Sequence, residues 1–249
     1  MKKTTLLFAG MVLATIGATA QTADEIINKY ADAIGGKEKL AAIKNIYMEG
    51  SIDANGQKIP LKLWKVINKS FRTEYSFGGM TGYSIIRKDS GWNFQPFAGQ
   101  TVPEPMTADQ VKASQTQLNP EGEDLINYKQ KGYKVTMQGK DDVDGTEAYK
   151  LEEVISDSLV QTYYIDLDSY YILRVHVKTT SNGKVEEANE DFSNYTKTPE
   201  GFVFPMDIEG GAGGGGGIKF TVIKVNTTMD DKLFKPSIPS SSPAAVPNK

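Results

Sequence analysis

The 249-residue sequence contains no cysteine and a single histidine, His176. Without cysteine the fold uses no disulfide, and no thiol near the start of the chain can carry a lipid anchor. Zinc and most redox metals favour histidine or cysteine ligands, and a serine nucleophile needs a base such as histidine, so both chemistries lack parts. In "LRVHVK" His176 alternates with Arg174 and Lys178 against Leu173, Val175 and Val177, which places it on a polar strand face. No G-x-S-x-G elbow occurs. Neither an enzyme nor a bound cofactor or metal is expected. The formal net charge of −3, with no basic cluster, is unsuited to nucleic acid.

Long apolar runs are also missing. The stretch Leu6 to Ile16, between Lys2-Lys3 and the small residues Ala18-Thr19-Ala20, is shorter than the roughly 20 residues that span a bilayer. It reads as a secretory signal peptide, residues 1–20, cut after Ala20. Losing Lys2 and Lys3 takes the net charge from −3 to −5. The expected product is an exported, soluble monomer with one domain over 21–236. The Pro/Ser-rich stretch 237–249, with little to bury, reads as a disordered tail.

What is present is mostly strand. First comes "TADEIINKYADAIGGKEKLAAIKN", where Ile26, Ile27, Tyr30, Ala33 and Ile34 recur at helical spacing, with Thr22 or Asp24 as cap and Gly35-Gly36 as terminator. From Asn45 the period becomes two. Asn55-Gly56 and Asp89-Ser90-Gly91 mark hairpin turns, and "SFRTEYSF" sets Phe71, Thr73, Tyr75 and Phe77 against Arg72 and Glu74. Residues 107–130 interrupt with helices, signalled by Thr107 with Gln110 and by Pro120-Glu121. Strands then resume, turning at Asp144-Gly145, Asp168-Ser169, Asn182-Gly183 and Glu200-Gly201. The pattern predicts a mainly β, α+β domain: one curved antiparallel sheet of about 9–11 strands, with an N-terminal helix and a mid-chain helical lid.

"EGGAGGGGGIKF" has seven glycines and one alanine between Glu209 and Ile218. A phosphate loop opens a helix, whereas Ile218 onward alternates as a strand, so the run reads as a slack hairpin. "KDDVDGTEAYKL" resembles a calcium loop around Gly145, but Lys140 and Leu151 stand where ligands belong, and a hairpin turn fits better. Paired acids such as Glu152 with Glu153, or Asp166 with Asp168, arise by chance among 31 acidic residues.

The informative feature is the spread of large apolar groups over successive strands. Trp64, Phe71, Tyr75, Phe77, Tyr83 and Ile85, with Trp92, Phe94, Tyr163, Ile165, Tyr171 and Leu173, are expected on the concave side of the sheet. Val111, Leu118 and Leu125 are the apolar positions of the lid. If the helices fill the hollow the interior is sealed; if they only cover it, an apolar ligand cavity remains.

"GYKVTMQGKDDVDGTEAYKLE", "QTYYIDLDSYYILRV", "NYTKTPEGFVFPMDIE" and "IKVNTTMDDKLFKPS" resemble successive C-terminal strands of the LolA-like outer-membrane lipoprotein carrier and sorting family. The opening "TADEIINKYADAIGGKEKLAAIKNI" is similar to the start of many secreted Bacteroidetes members. The resemblance implies an unclosed β-barrel with a helical lid, periplasmic location, and binding of lipid or lipoprotein acyl chains, with envelope membrane proteins as further partners. It also implies a lid-controlling strand arginine, for which Arg72 is the match. Regulators that bind a protein partner share this fold, so an envelope sensing or scaffolding module is the alternative implied.

Overall fold

A computed structural model describes residues 21–239 except 55, 121–122, 182 and 212–215. The expected signal peptide, residues 240–249 of the expected tail, Asn55, Glu121, Asn182 and the middle of the glycine run lie outside the described residues.

Helix α1 (Ala23–Ala33) begins at Thr22, whose hydroxyl accepts from the Glu25 amide while the Glu25 carboxylate accepts from the Thr22 amide. This reciprocal cap satisfies two donors that the first turn would otherwise leave unpaired. The helix buries Ile26, Ile27, Tyr30 and Ala31, the apolar stripe of its sequence. Gly35 and Gly36, at φ 136° and 90°, end it ahead of the short α2 (Lys37–Ala41).

Six strands follow as a meander: β1 (Asn45–Ala54), β2 (Gln57–Val66), β3 (Ser70–Phe77), β4 (Met80–Arg87), β5 (Gly91–Phe94) and β6 (Glu104–Pro105). The chain then crosses through α3 (Ala108–Ala113), a 3-10 turn (Gln115–Leu118), α4 (Glu123–Ile126) and α5 (Tyr128–Lys131). Thr107 and Gln110 form the capping box of α3 that the sequence signals. A second meander runs through β7 (Lys134–Val143), β8 (Thr146–Ser156), β9 (Leu159–Asp166), β10 (Ile172–Ser181), β11 (Lys184–Lys197), β12 (Val203–Gly210) and β13 (Ile218–Val225).

All thirteen strands belong to one antiparallel sheet, in the order β6-β5-β4-β3-β2-β1-β13-β12-β11-β10-β9-β8-β7. The two meanders therefore meet at a β1–β13 seam, and β6 and β7 are left as unpaired edges. The helical crossing leads from one edge to the other. The result is an unclosed barrel or curved sheet, as expected, with more strands than the 9–11 predicted; β6 has only two residues, too few to show alternation.

The seam needs a glycine. Between Glu49 and Gly50 the register shifts, and a Cβ on Gly50 would lie 2.1 Å from the Lys219 carbonyl oxygen. One core cluster joins α1 to the second meander through Ile26, Tyr30, Leu125, Leu151 and Ile165. A second gathers Ile43, Ile46, Phe202, Phe204 and Val225 near the seam. A third packs Tyr83, Ile85 and Phe94 under Phe234, which lies in a C-terminal 3-10 turn (Asp231–Phe234). Among the described residues no helix is long and apolar enough to cross a membrane.

Candidate ligand-binding cavity

Cross-strand register decides which side chains face inward, because paired residues share a face of the sheet. Ile46 and Met48 of β1 pair with Lys65 and Leu63 of β2, and Lys65 pairs with Phe71 of β3. These residues wall one side of a cavity of about 610 Å³. The second meander supplies Tyr163, Val175, Phe192 and Ile208, and the N-terminal helices and their linker supply Tyr30, Ile34 and Leu40. The helical crossing contributes Thr116, Gln117, Asn119, Pro120 and Asp124. A volume of this size falls within the range of roughly 300–1,000 Å³ usual for small-molecule sites, and its walls are largely aliphatic and aromatic.

The lid is held at both ends. The Asn68 amide donates to the Leu118 carbonyl at 2.8 Å, Gln115 Nε2 donates to the Arg87 carbonyl at 3.1 Å, and Lys65 Nζ donates to the Asn119 carbonyl at 3.1 Å. Leu125, fully buried, packs into the core beside the second meander. Val111 and Leu118 are also buried; none of the three expected lid residues lines the cavity, and the crossing presents more polar residues to it.

Polar groups also enter the lining from the second meander. Tyr163 Oη lies 3.0 Å from Glu153 Oε2 and 2.5 Å from Gln161 Oε1. Burial pushes the Glu153 carboxyl up to about 7, with Asp124 on the lid adding to the rise and Lys131 opposing it. Its other oxygen, Oε1, has no hydrogen-bond partner among the described residues. Burial also raises Tyr163 well above the ordinary phenol range. Glu190 lines the cavity with its carboxyl raised by burial. Tyr195 is satisfied, its hydroxyl donating to the Ile172 carbonyl at 2.7 Å.

Of the residues expected on the concave side, Phe71 and Tyr163 line the cavity. Ile165 is fully buried in the core beside α1. Tyr75 and Phe77 pack with Phe97 at ring separations of 5.4 and 6.5 Å. Tyr171 stacks on Tyr195 with ring centres 4.4 Å apart, and Leu173 is half-buried on β10 without lining the cavity. The remaining five lie on the opposite face. Trp64 pairs with Arg72, Arg72 with Ile85, and Ile85 with Trp92, while Tyr83 pairs with Glu74 and Phe94. Trp64, Tyr83, Ile85, Trp92 and Phe94 therefore belong to the Arg72 face, where Met229, Leu233 and Phe234 cover them. Alternation within β3 is as predicted; carrying it across the β3–β4 and β2–β3 hairpins was one residue out, and such a slip exchanges the faces.

Arg72 is buried on that face. Its guanidinium lies 4.1 Å from the Tyr83 ring centre, 2.6 Å from Glu74 Oε1, and donates to the Leu233 carbonyl at 2.9 Å. It ties down the C-terminal segment through Leu233, and its other contacts, Glu74 and Tyr83, are on the same face and not with the lid. Sequence reasoning passed over Glu153 and Glu190. The signal for Glu153 was an acid in step with Tyr149 and Leu151, two inward-facing apolar positions of β8.

The remaining motifs resolve as local structure. His176 Nδ1 lies 2.8 Å from Asn189 Oδ1 on the polar face of β10. Asp144 and Gly145, at φ 51° and 90°, form the β7–β8 turn, with the Gly145 amide donating to Asp142 Oδ1. The glycine run joins β12 to β13, and its described ends are tied to flanking strands: the Gly211 amide donates to the Asn189 carbonyl and the Asp53 amide to the Gly217 carbonyl. Ser237, the first residue of the expected tail, donates its amide to Tyr83 Oη at 2.9 Å.

No family model and no curated protein matches the sequence. Solved structures do match. A DUF1329 family protein from Desulfovibrio piger superposes with a TM-score of 0.56 at 13% identity, over 87% of this chain and 98% of that one. A putative outer membrane lipoprotein-sorting protein domain from Vibrio parahaemolyticus gives 0.52 at 12%, over 85% and 95%. A LolA superfamily protein from Nitrosomonas europaea gives 0.50 at 13%, over 87% and 98%. The chain has a LolA-like fold. Within that frame the hollow is a largely apolar space under the helical crossing, with Asp124 and Glu190 in its wall.

Proposed function

We propose that the protein is a non-enzymatic periplasmic binding or carrier protein for acyl chains of lipoproteins or other hydrophobic ligands. The observation that carries this reading is the cavity of about 610 Å³, bounded by side chains from both meanders, α1 and the lid, and not filled by them. Transfer of an acyl chain from water into such a space is favourable by about 0.8 kcal/mol for each buried methylene. Phe71 and Tyr163 would contact the chain directly, while Val111, Leu118 and Leu125 hold the cover in place. The signal-like N-terminus and the acidic, cysteine-free composition are consistent with export. The protein would act as a monomer that exchanges cargo with envelope membranes or their proteins.

Native mass spectrometry of protein purified from the cell envelope tests the reading. Adducts with masses of acylated molecules, displaced by a fluorescent fatty acid, are expected. Protein that is uniformly free of adducts and ignores the fluorescent probe would overturn it.

A further inference from the structure

The sheet is incompletely zipped beside its own seam. Strands β12 and β13 pair at only two positions, Asp207 with Lys219 and Ile208 with Ile218, although each runs for eight residues. Beyond those pairs they part. β13 continues along β1 as far as Val225 opposite Ile46. β12 starts elsewhere: the Val203 amide donates to the Ile34 carbonyl at the end of α1, and Gly35 lies against Phe202. β13 stays with the first meander, while β12 stays with β11, from Glu190 opposite Gly210 to Lys197 opposite Val203, and is tied at its start to the end of α1, so the gap between them is wedge-shaped.

That wedge is a cleft of about 450 Å³. Met206, Val222 and Val225 give it apolar sides, and Thr196, Lys197, Glu200 and Lys224 ring its polar portion. Phe204 and Ile223 line both the cleft and the main cavity, so these two side chains form the partition between them. Phe204 packs with Phe202, Ile43 and Val225 in the apolar cluster near the seam. Lys197 and Lys224 are exposed. On the β12 side the Val203 amide is taken by Ile34 and Pro205 has no N–H, so further amide donors come from the edge of β13, which is not paired with β12 beyond Lys219.

We propose that the β12–β13 cleft is a lateral mouth of the cavity that seats the head group of an acyl amphiphile. The tail lies inside, passes between Phe204 and Ile223, and ends in an anionic oxygen head held by Lys197, Lys224 and the unpaired strand amides. The chemistry recognised is a long acyl tail ending in a phosphate or a carboxylate. This rests on the acyl-binding function proposed above and adds where the head lies and which charge it carries.

The test compares three ligands of equal chain length, lysophosphatidic acid, a fatty acid and the uncharged monoacylglycerol, on the wild type and on the Lys197→Glu, Lys224→Glu double variant. Both lysines are exposed, so the variant should keep the wild-type circular dichroism and melting temperature, and these are measured alongside. Replacing two attractions by two repulsions is expected to weaken both anionic ligands on the order of tenfold at low salt, leaving the monoacylglycerol unchanged. The anion that loses more identifies phosphate or carboxylate as the head. If charge reversal leaves the anionic ligands unaffected, or weakens all three alike, the head is not in this cleft and the proposal fails, while acyl binding itself stands. If the wild type binds none of the three, both fail.

Discussion

Tyr163 Oη lies 3.0 Å from Glu153 Oε2 and 2.5 Å from Gln161 Oε1 at one end of the cavity. The hydroxyl donates to the Glu153 carboxylate, a bond that favours the ionised form, but burial outweighs it. Because burial lifts the Glu153 carboxyl from 4.5 to about 7, the folded protein binds a proton there that the unfolded chain releases. Stability is thus greatest below about pH 4.5 for this group and is lost as pH rises through about 7. Carboxyls held low, such as Asp24 by its hydrogen bond from Lys129, act in the opposite sense but only near or below the ordinary 3.8.

Glu153→Gln removes the titration and keeps the shape. Melting temperature followed from pH 5 to pH 8 should fall in the wild type and fall less in the variant, which is more stable at pH 8 by on the order of 3 kcal/mol. Some slope remains in the variant, because burial raises Glu190 as well. Equal slopes in the two proteins would show that Glu153 is ionised in the fold across this range.

The two tryptophans of the chain, Trp64 and Trp92, both lie on the face away from the cavity. An apolar ligand that enters the cavity should leave wild-type tryptophan emission unchanged. Leu63→Trp, one residue along β2 and cavity-facing, should shift its emission to shorter wavelength on addition of the same ligand. A shift in the wild type would place the ligand on the C-terminal side of the sheet.

These contrasts also mark what was legible in the sequence. Period-two alternation, the turn glycines and the capping boxes at Thr22 and Thr107 are local, and they gave the strands, helices and lid their places. The face assignment within β3 was local too. Carrying it to β4 and β5 depended on how each hairpin registers, and hydrophobicity offered no correction because both faces of the first meander carry large apolar side chains. Phe71 is covered from the cavity side, and Ile85 is covered by Phe234 and its neighbours. The β1–β13 seam joins residues some 180 positions apart and leaves no local signature. Its one sequence trace is Gly50 in an otherwise alternating strand.

Arg72 illustrates a residue whose type was noticed and whose task was not. On the face away from the lid it pairs with Glu74, lies over Tyr83 and holds the Leu233 carbonyl. Arg72→Ala should cost about 3 kcal/mol in denaturant unfolding, because it leaves that carbonyl unpaired and removes the cation over a buried ring. Arg72→Lys should restore only part of this, since an ammonium cannot bond Glu74 and the Leu233 carbonyl in one plane while laying a flat face on the Tyr83 ring. Neither change should alter affinity for an acyl probe under conditions where the protein stays folded. An affinity loss without a stability loss would return Arg72 to lid control.

Gly50 carries the sharpest steric prediction. A methyl group there would meet the Lys219 carbonyl oxygen at 2.1 Å and the Phe220 Cα at 2.8 Å, both backbone atoms of the facing strand. Neither can rotate aside, so Gly50→Ala must push β13 away from β1 and break the pairing that joins the two halves of the sheet. A loss of about 3 kcal/mol or more is expected, with the seam amides of β13 exchanging hydrogen faster than those of β8 and β9. Gly56→Ala is the control: its Cβ would meet nothing within 4 Å, and only its positive φ of 82° opposes alanine, at about 1 kcal/mol. If both substitutions cost the same and the seam amides stay protected, the close approach at Gly50 is not what fastens the two meanders together.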